Sequence, residues 1–122
     1  MRTRNQEYAA LIFQQVSEIE EAAKKKYGSM AHKLPVLIRT AGLAQALEFV
    51  NTRSEGPQRR LLKHLAQVIN GSMPEALLAR SRTEPLSEYM HLTHQVLTAL
   101  LWYKRFAQSI LRVEVNDEAE GV

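Results

Sequence analysis

Three features of this 122-residue sequence predict an all-α fold. Its apolar residues recur at i, i+3, i+4 and i+7, the period of a helix with one buried face, and no useful length alternates with period two. Proline and glycine divide the chain into helical pieces, and Asn70-Gly71 lacks the strand-like flanks of a hairpin. At this length, and with no cysteine, one domain can bury a core without metal or disulfide staples. The predicted architecture is a single compact bundle of about five to six helices with a four-helix-like core, spanning residues 1–113. Residues 114–122 form an acidic C-terminal tail, expected to be disordered.

Each element has its own signal. Tyr8, Leu11, Ile12, Val16, Ile19 and Ala23 mark a first helix from about Thr3 to Lys26, which Tyr27-Gly28-Ser29 should end. Two short stripes follow, Leu34/Leu37/Ile38/Ala41 and Leu43/Ala46/Leu47/Val50, with Pro35 near the start of the first and Gly42 between them. Residues 51–56 read as a polar loop, and Pro57 suits the first turn of a helix. That helix carries Leu61, Leu62, Leu65, Val68 and Ile69, and should stop at Asn70-Gly71. Ser72-Met73-Pro74-Glu75 has the form of a capping box opening a short helix to about Ser81. Thr83-Glu84-Pro85 starts the last helix, to about Val113. Its expected core arc includes Leu86, Met90, Val96, Leu97, Leu100, Leu101 and Ala107.

The net charge of +3 conceals an asymmetry. The last nine residues hold four acids and no base, so sixteen basic residues face nine acidic ones, a net +7, on residues 1–113. Such a body favours polyanionic partners. The barest cationic surface is on the helix from Pro57 to Asn70: leucines gather on one side, Arg59, Arg60, Lys63 and Gln67 on the other. No Asp or Glu lies between Glu55 and Glu75 to neutralise them within the helix. Lys24, Lys25 and Lys26 read differently. Glu20 and Glu21 precede Lys24 and Lys25 by four, and the trio would close the first helix, where cations complement the helix dipole. Trp102 falls opposite the core arc of the last helix, where it is covered, a subunit contact, or a stacking platform for a base. Lys104 falls inside that arc and could snorkel. Arg105, at its edge, belongs to the positive surface or pairs with an acid such as Glu48.

Two segments resemble one family, the small subunit of the type III-B CRISPR effector (the Cmr complex), an RNA-guided ribonucleoprotein of antiviral defence. The first holds Tyr27, Lys33-Leu34-Pro35, Ile38-Arg39 and Gly42-Leu43-Ala44-Gln45-Ala46-Leu47; the second is WYKRFAQ, from Trp102 to Gln108. The resemblance implies a cytoplasmic helical subunit that packs against further copies of itself and other subunits, lining a channel for guide RNA and target RNA. It adds Lys33, Arg39, Lys104 and Arg105 to Arg59, Arg60 and Lys63 as expected phosphate contacts, with Trp102 as an expected protein contact.

Other chemistries find little support. The single aspartate, Asp117, lies in the tail, so neither a Ser-His-Asp triad nor an aspartate-metal nuclease site can be assembled from the body, and no enzyme activity is expected. Glu88-x-x-His91-x-x-His94 is half of a di-iron bundle signature with no second copy, and no metal or other cofactor is expected. His32 and His64 look isolated. No apolar run approaches the ~20 residues of a membrane span, and no export signal is apparent. Residues 57–82 also have the outline of a helix-turn-helix, but Arg80 and Arg82 sit at the wrong end of the would-be recognition helix. A DNA-binding regulator and a generic helical adaptor are the alternatives.

Overall fold

The computed structural model describes residues 1–53 and 56–115. Six α-helices account for most of them: α1 (Arg4–Ser17), α2 (Lys24–Ala41), α3 (Leu43–Asn51), α4 (Gly56–Asn70), α5 (Pro74–Thr83) and α6 (Leu86–Ser109), with a 3₁₀ turn at Glu21–Ala23. The described residues include no strand. The tail expected to be disordered falls, from residue 116 onward, outside the described residues.

The long helices α2 and α6 form the spine, running antiparallel: His32 meets Val113 at one end, and the backbone N–H of Ala44 meets the Tyr89 hydroxyl at the other. α1 and α4 pack on this pair, and α3 and α5 close the remaining side. α1 starts in a true capping box, with Thr3 Oγ1 accepting from the Gln6 N–H at 3.1 Å and Gln6 Oε1 accepting from the Thr3 N–H at 2.9 Å. Its buried residues Tyr8, Ile12 and Val16 repeat every fourth position.

Three boundaries differ from the sequence expectation. The first predicted helix breaks at residues 18–20, not at Tyr27-Gly28-Ser29, which lie buried inside α2. No glycine or proline marks the break. It is imposed by packing: the chain turns so that Ile19 and Ala23 reach the core while Glu20 reaches Arg60. Gly28 is therefore not a stop signal. A Cβ there would lie 2.7 Å from Val113 Cβ, so the missing side chain makes room for the C-terminal segment against α2. Second, α5 is capped one residue later than expected. Met73 holds the N-cap position with no side-chain bond, and Pro74 is the first helical residue. Third, α6 stops at Ser109. Arg112 adopts a positive φ of 61°, and the Val113 N–H returns to the Ala107 carbonyl at 2.9 Å.

The predicted turns at Gly42 and Gly71 do form, at φ values that favour glycine. Gly42 has φ +91° between α2 and α3; Gly71 has φ +64° after α4 and donates to the Gln67 carbonyl at 2.9 Å.

The core arc of α6 is rotated by roughly a quarter-turn from the expected one, as helical geometry of ~100° per residue measures it. Leu92, Val96, Ala99, Leu100, Tyr103 and Ala107 are buried, whereas Leu86, Met90 and Leu101 are exposed. The reason is Tyr103, which is wholly buried yet polar at its tip. Its hydroxyl donates to Gln15 Oε1 at 2.6 Å, which removes the cost of burying it.

Candidate nucleic-acid interface

α4 is the most sharply two-sided of these helices. Leu61, Leu62, Leu65 and Ala66 are buried and hold it on the bundle, which fixes Arg59, Arg60 and Lys63 on the outer side. With Gly56 from the same helix and Met73, Pro74 and Glu75 from the start of α5, these three cations line an open cleft of about 360 Å³. The helix carries no carboxylate, but it is not free of them in space. Arg60 bonds Glu20 at 2.8 Å, and that bond holds the Glu20 carboxyl below the usual range. The isolated face expected from sequence is corrected here: Arg60 is paired, because the break after α1 swings Glu20 over it. Arg59 donates to Asn51 Oδ1 at 3.2 Å, a neutral partner that orients the guanidinium without cancelling its charge. Lys63 is exposed and has no ion pair among the described residues.

Behind the cleft lies a buried polar chain that sequence reading missed. His64, on α4 beside Lys63, meets the Tyr27 hydroxyl through Nδ1 at 2.7 Å; Gln15 donates to the His64 carbonyl at 3.2 Å and accepts from Tyr103. Burial, with Arg60 and Lys63 nearby, lowers the His64 pKa to about 4, so the imidazole is neutral near pH 7. Burial likewise pushes both tyrosine hydroxyls up. His32 is no more isolated than His64. It is buried, with Nε2 donating to the Val113 carbonyl at 2.8 Å. Helical spacing ranks leucines well but cannot rank a histidine or tyrosine whose partner lies on another helix.

A second cationic cluster sits where α2 meets the end of α3. Lys33 Nζ is 5.7 Å from the centroid of Phe49, and Arg53 Cζ is 4.4 Å from the same centroid. Sequence reading selected Lys33 and overlooked Arg53, whose loop position gave no periodic signal. Arg39 is exposed in the last turn of α2, complementing its dipole. Lys104 and Arg105 lie on α6, and no contact among the described residues joins them to the α4 cleft. The alternative pairing of Arg105 with Glu48 does not form, because Glu48 is held by Arg82 at 3.2 Å and Asn51 at 3.2 Å. Arg80 is likewise taken by Glu84 and Asn70. The two arginines of the would-be recognition helix are thus occupied within the fold.

The lysine trio also departs from expectation. It opens α2 rather than closing α1, so the helix dipole opposes it; Lys24 is paired with Glu21 at 3.2 Å. Trp102 is half-buried on the seam between α1 and α6. Its indole N–H donates to Asn5 Oδ1 at 2.8 Å and its ring stacks on Phe106 at 5.6 Å between centroids. Glu88, His91 and His94 are exposed on α6. No described helix is long and apolar enough to cross a membrane.

Comparison with known proteins identifies this arrangement. The family described as CRISPR-associated protein (Cas_Cmr5) matches residues 4–110, nearly the whole described chain. The chain belongs to the Cmr5 family. The "CRISPR system Cmr subunit Cmr5" of Thermus thermophilus is 41% identical over 112 residues, covering 91% of this chain and 98% of that protein. The crystal structure of a CRISPR-associated Cmr5 family protein from the same organism superposes with a TM-score of 0.83 at 42% identity, over 90% of this chain and 98% of that one. The expected resemblance to the type III-B small subunit and the expected all-α single-domain fold are both met. In this Cmr5-family chain the family-like residues Tyr27, Leu34, Ile38, Leu43, Ala46 and Leu47 are buried. That segment is chiefly a folding element, and of its charged members Lys33 is half-buried and Arg39 exposed.

Proposed function

We propose that this chain is a non-catalytic small subunit of a cytoplasmic type III-B CRISPR ribonucleoprotein, where it holds RNA by sequence-independent phosphate contacts. It packs against the other subunits and against further copies of itself to line the channel for guide RNA and target RNA. The observation that carries this reading is the convergence of Arg59, Arg60 and Lys63 on one open cleft, from a helix that has no acid of its own. Arginine and lysine in an open trough bind phosphates as point charges or forks and read no base edges. Lys33, Arg39, Lys104 and Arg105 extend the positive surface on α2 and α6. Trp102, anchored by Asn5 yet half-exposed, suits a contact with a neighbouring subunit. Target cleavage belongs to another subunit in this reading, and no cofactor or metal is required of this one.

Reconstitution of the effector complex tests it. Arg59→Glu with Lys63→Glu should weaken retention of target RNA while the isolated subunit keeps its helicity and melting temperature. Unchanged retention across a salt series would remove the α4 cleft from the RNA path.

A further inference from the structure

We propose that Arg53, whose guanidinium lies over the Phe49 ring at the end of α3, is a fixed phosphate ligand that joins Lys33 to the α4 cleft in one cationic track. The inference rests on the RNA-contact reading above and extends it to a residue and a path.

Arg53 is held differently from the arginines of α4 and α5. Arg60, Arg80 and Arg82 each hold a carboxylate, and Arg59 holds an amide. Among the described residues, Arg53 has none of these. Its Nε is buried with no hydrogen-bond partner among the described residues, while the side chain as a whole is half-buried. What holds it is the ring of Phe49, 4.4 Å from the guanidinium carbon. Phe49 is itself packed against the core and so gives a rigid platform. A cation–ring contact does not use up the terminal Nη groups, and with Nε buried it is these two that can grip a phosphate in a two-pronged fashion.

Position then says what these two groups meet. Lys33 approaches the same ring at 5.7 Å, so its charge and that of Arg53 are separated by no more than the sum of two short distances. Asn51, two residues before Arg53, accepts from Arg59, which lines the α4 cleft. Lys63, Arg59, Arg53 and Lys33 therefore follow one another from α4, past the end of α3, onto α2. The nearest acid on α3, Glu48, is already neutralised by Arg82. A track of this kind takes a flexible chain of phosphates, a single RNA strand, in preference to one isolated anion.

The test uses the reconstituted complex, complementary target RNA and a salt series, with the subunit's melting temperature as a folding control. Arg53→Gln keeps the stem and removes the charge. It should lower RNA retention and flatten the slope of log affinity against log salt by about 0.7, one phosphate on a single strand. Arg53→Lys should recover only part of the loss, because a lysine cannot present two N–H groups in one plane. Phe49→Leu, which keeps the charge and removes the platform, should also weaken retention, by less than Arg53→Gln. Retention and slope unchanged in Arg53→Gln would overturn the proposal, as would a defect in subunit assembly seen without RNA, which would mark an acidic protein partner instead. If Arg53→Gln is silent while Arg59→Glu/Lys63→Glu still weakens binding, the track ends at the α4 cleft and only this inference fails. If both are silent, the RNA-contact reading falls with it.

Discussion

Gly28→Ala sets local and tertiary effects against each other, and the structure says which wins. Inside a helix, alanine is favoured over glycine by about 1 kcal/mol, so α2 alone would gain. The new Cβ, however, would sit 2.7, 2.9 and 3.0 Å from three side-chain atoms of Val113, distances at which something must move. Val113 lies past the end of α6, so the segment shifts more readily than α2 does. Displacing it uncovers a valine now 4% exposed, worth ~1.5–3 kcal/mol when fully buried. It also breaks the bond from His32 to the Val113 carbonyl, a further ~0.5–1.5 kcal/mol. Partial displacement loses only part of these terms. Against the helix gain, the net is a destabilisation of about 1–2 kcal/mol, or a fall in melting temperature of roughly 4–8 °C for a domain of this size. Thermal unfolding by circular dichroism gives the number, and hydrogen exchange at the Val113 amide, now bonded to Ala107, gives the location. Val113→Ala in the Gly28→Ala background should recover part of the loss. A melting temperature equal to or above that of the parent would refute the argument, since it would mean that helix propensity outweighs the contact.

The buried polar chain and the cleft yield the other predictions. Tyr27→Phe removes the hydroxyl that meets His64 Nδ1 and should cost ~1–3 kcal/mol in a urea titration, the penalty for a polar group left unpaired. Because the folded pKa of His64 is depressed from 6.5 to about 4, the unfolded chain binds the extra proton first. Stability should therefore fall as pH drops from about 6.5 to about 4, and His64→Phe should flatten that part of the profile. Glu20→Gln frees Arg60 and should tighten RNA retention by the assembled complex; weaker retention with a normal melting temperature would show that the pair orients Arg60 productively. Trp102→Ala should reduce incorporation into the complex, read as the fraction of subunit co-purifying, with little change in helicity.

The bundle was legible because it is written in leucine spacing and in two glycines at positive φ. Gly42 and Gly71 each end a helix where a residue with a side chain would be strained, so their positions survive any tertiary context. Gly28 shows the limit of that logic. The same residue type that stops a helix at 71 permits a close approach at 28, and only the position of Val113 distinguishes them. The quarter-turn error on α6 has a related origin. An apolar count places Leu86, Met90 and Leu101 inside and ignores Tyr103, whereas the fold buries Tyr103 because Gln15, on another helix, receives its hydroxyl. The site follows the same division. Arg59, Arg60 and Lys63 were visible because a single helix aligns them. Arg53 was not, because its partner Phe49 lies on the preceding helix and its loop has no period to read.

The distribution of ion pairs explains why the basic surface survives folding. Each carboxylate in the pairs described meets a cation at an element boundary: Glu20 and Glu21 at the break after α1, Glu48 near the end of α3, Glu84 after α5. Exposed pairs of this kind add little stability, typically ~0–1 kcal/mol, but they fix where chain segments meet. Lys33, Arg53, Arg59 and Lys63 are fixed instead by an aromatic ring, an amide or the helix itself, none of which cancels charge. Neutral restraint of this kind holds the cationic groups in place for an outside anion and keeps their field intact. It follows that an acid introduced beside them, Asn51→Asp for example, should weaken RNA retention as much as loss of Arg59 does, with some loss of stability because the donor to Glu48 becomes a second carboxylate. Retention at the parental level in Asn51→Asp would mean that the charge of Arg59 is not used, and the positional account of this surface would fail at its centre.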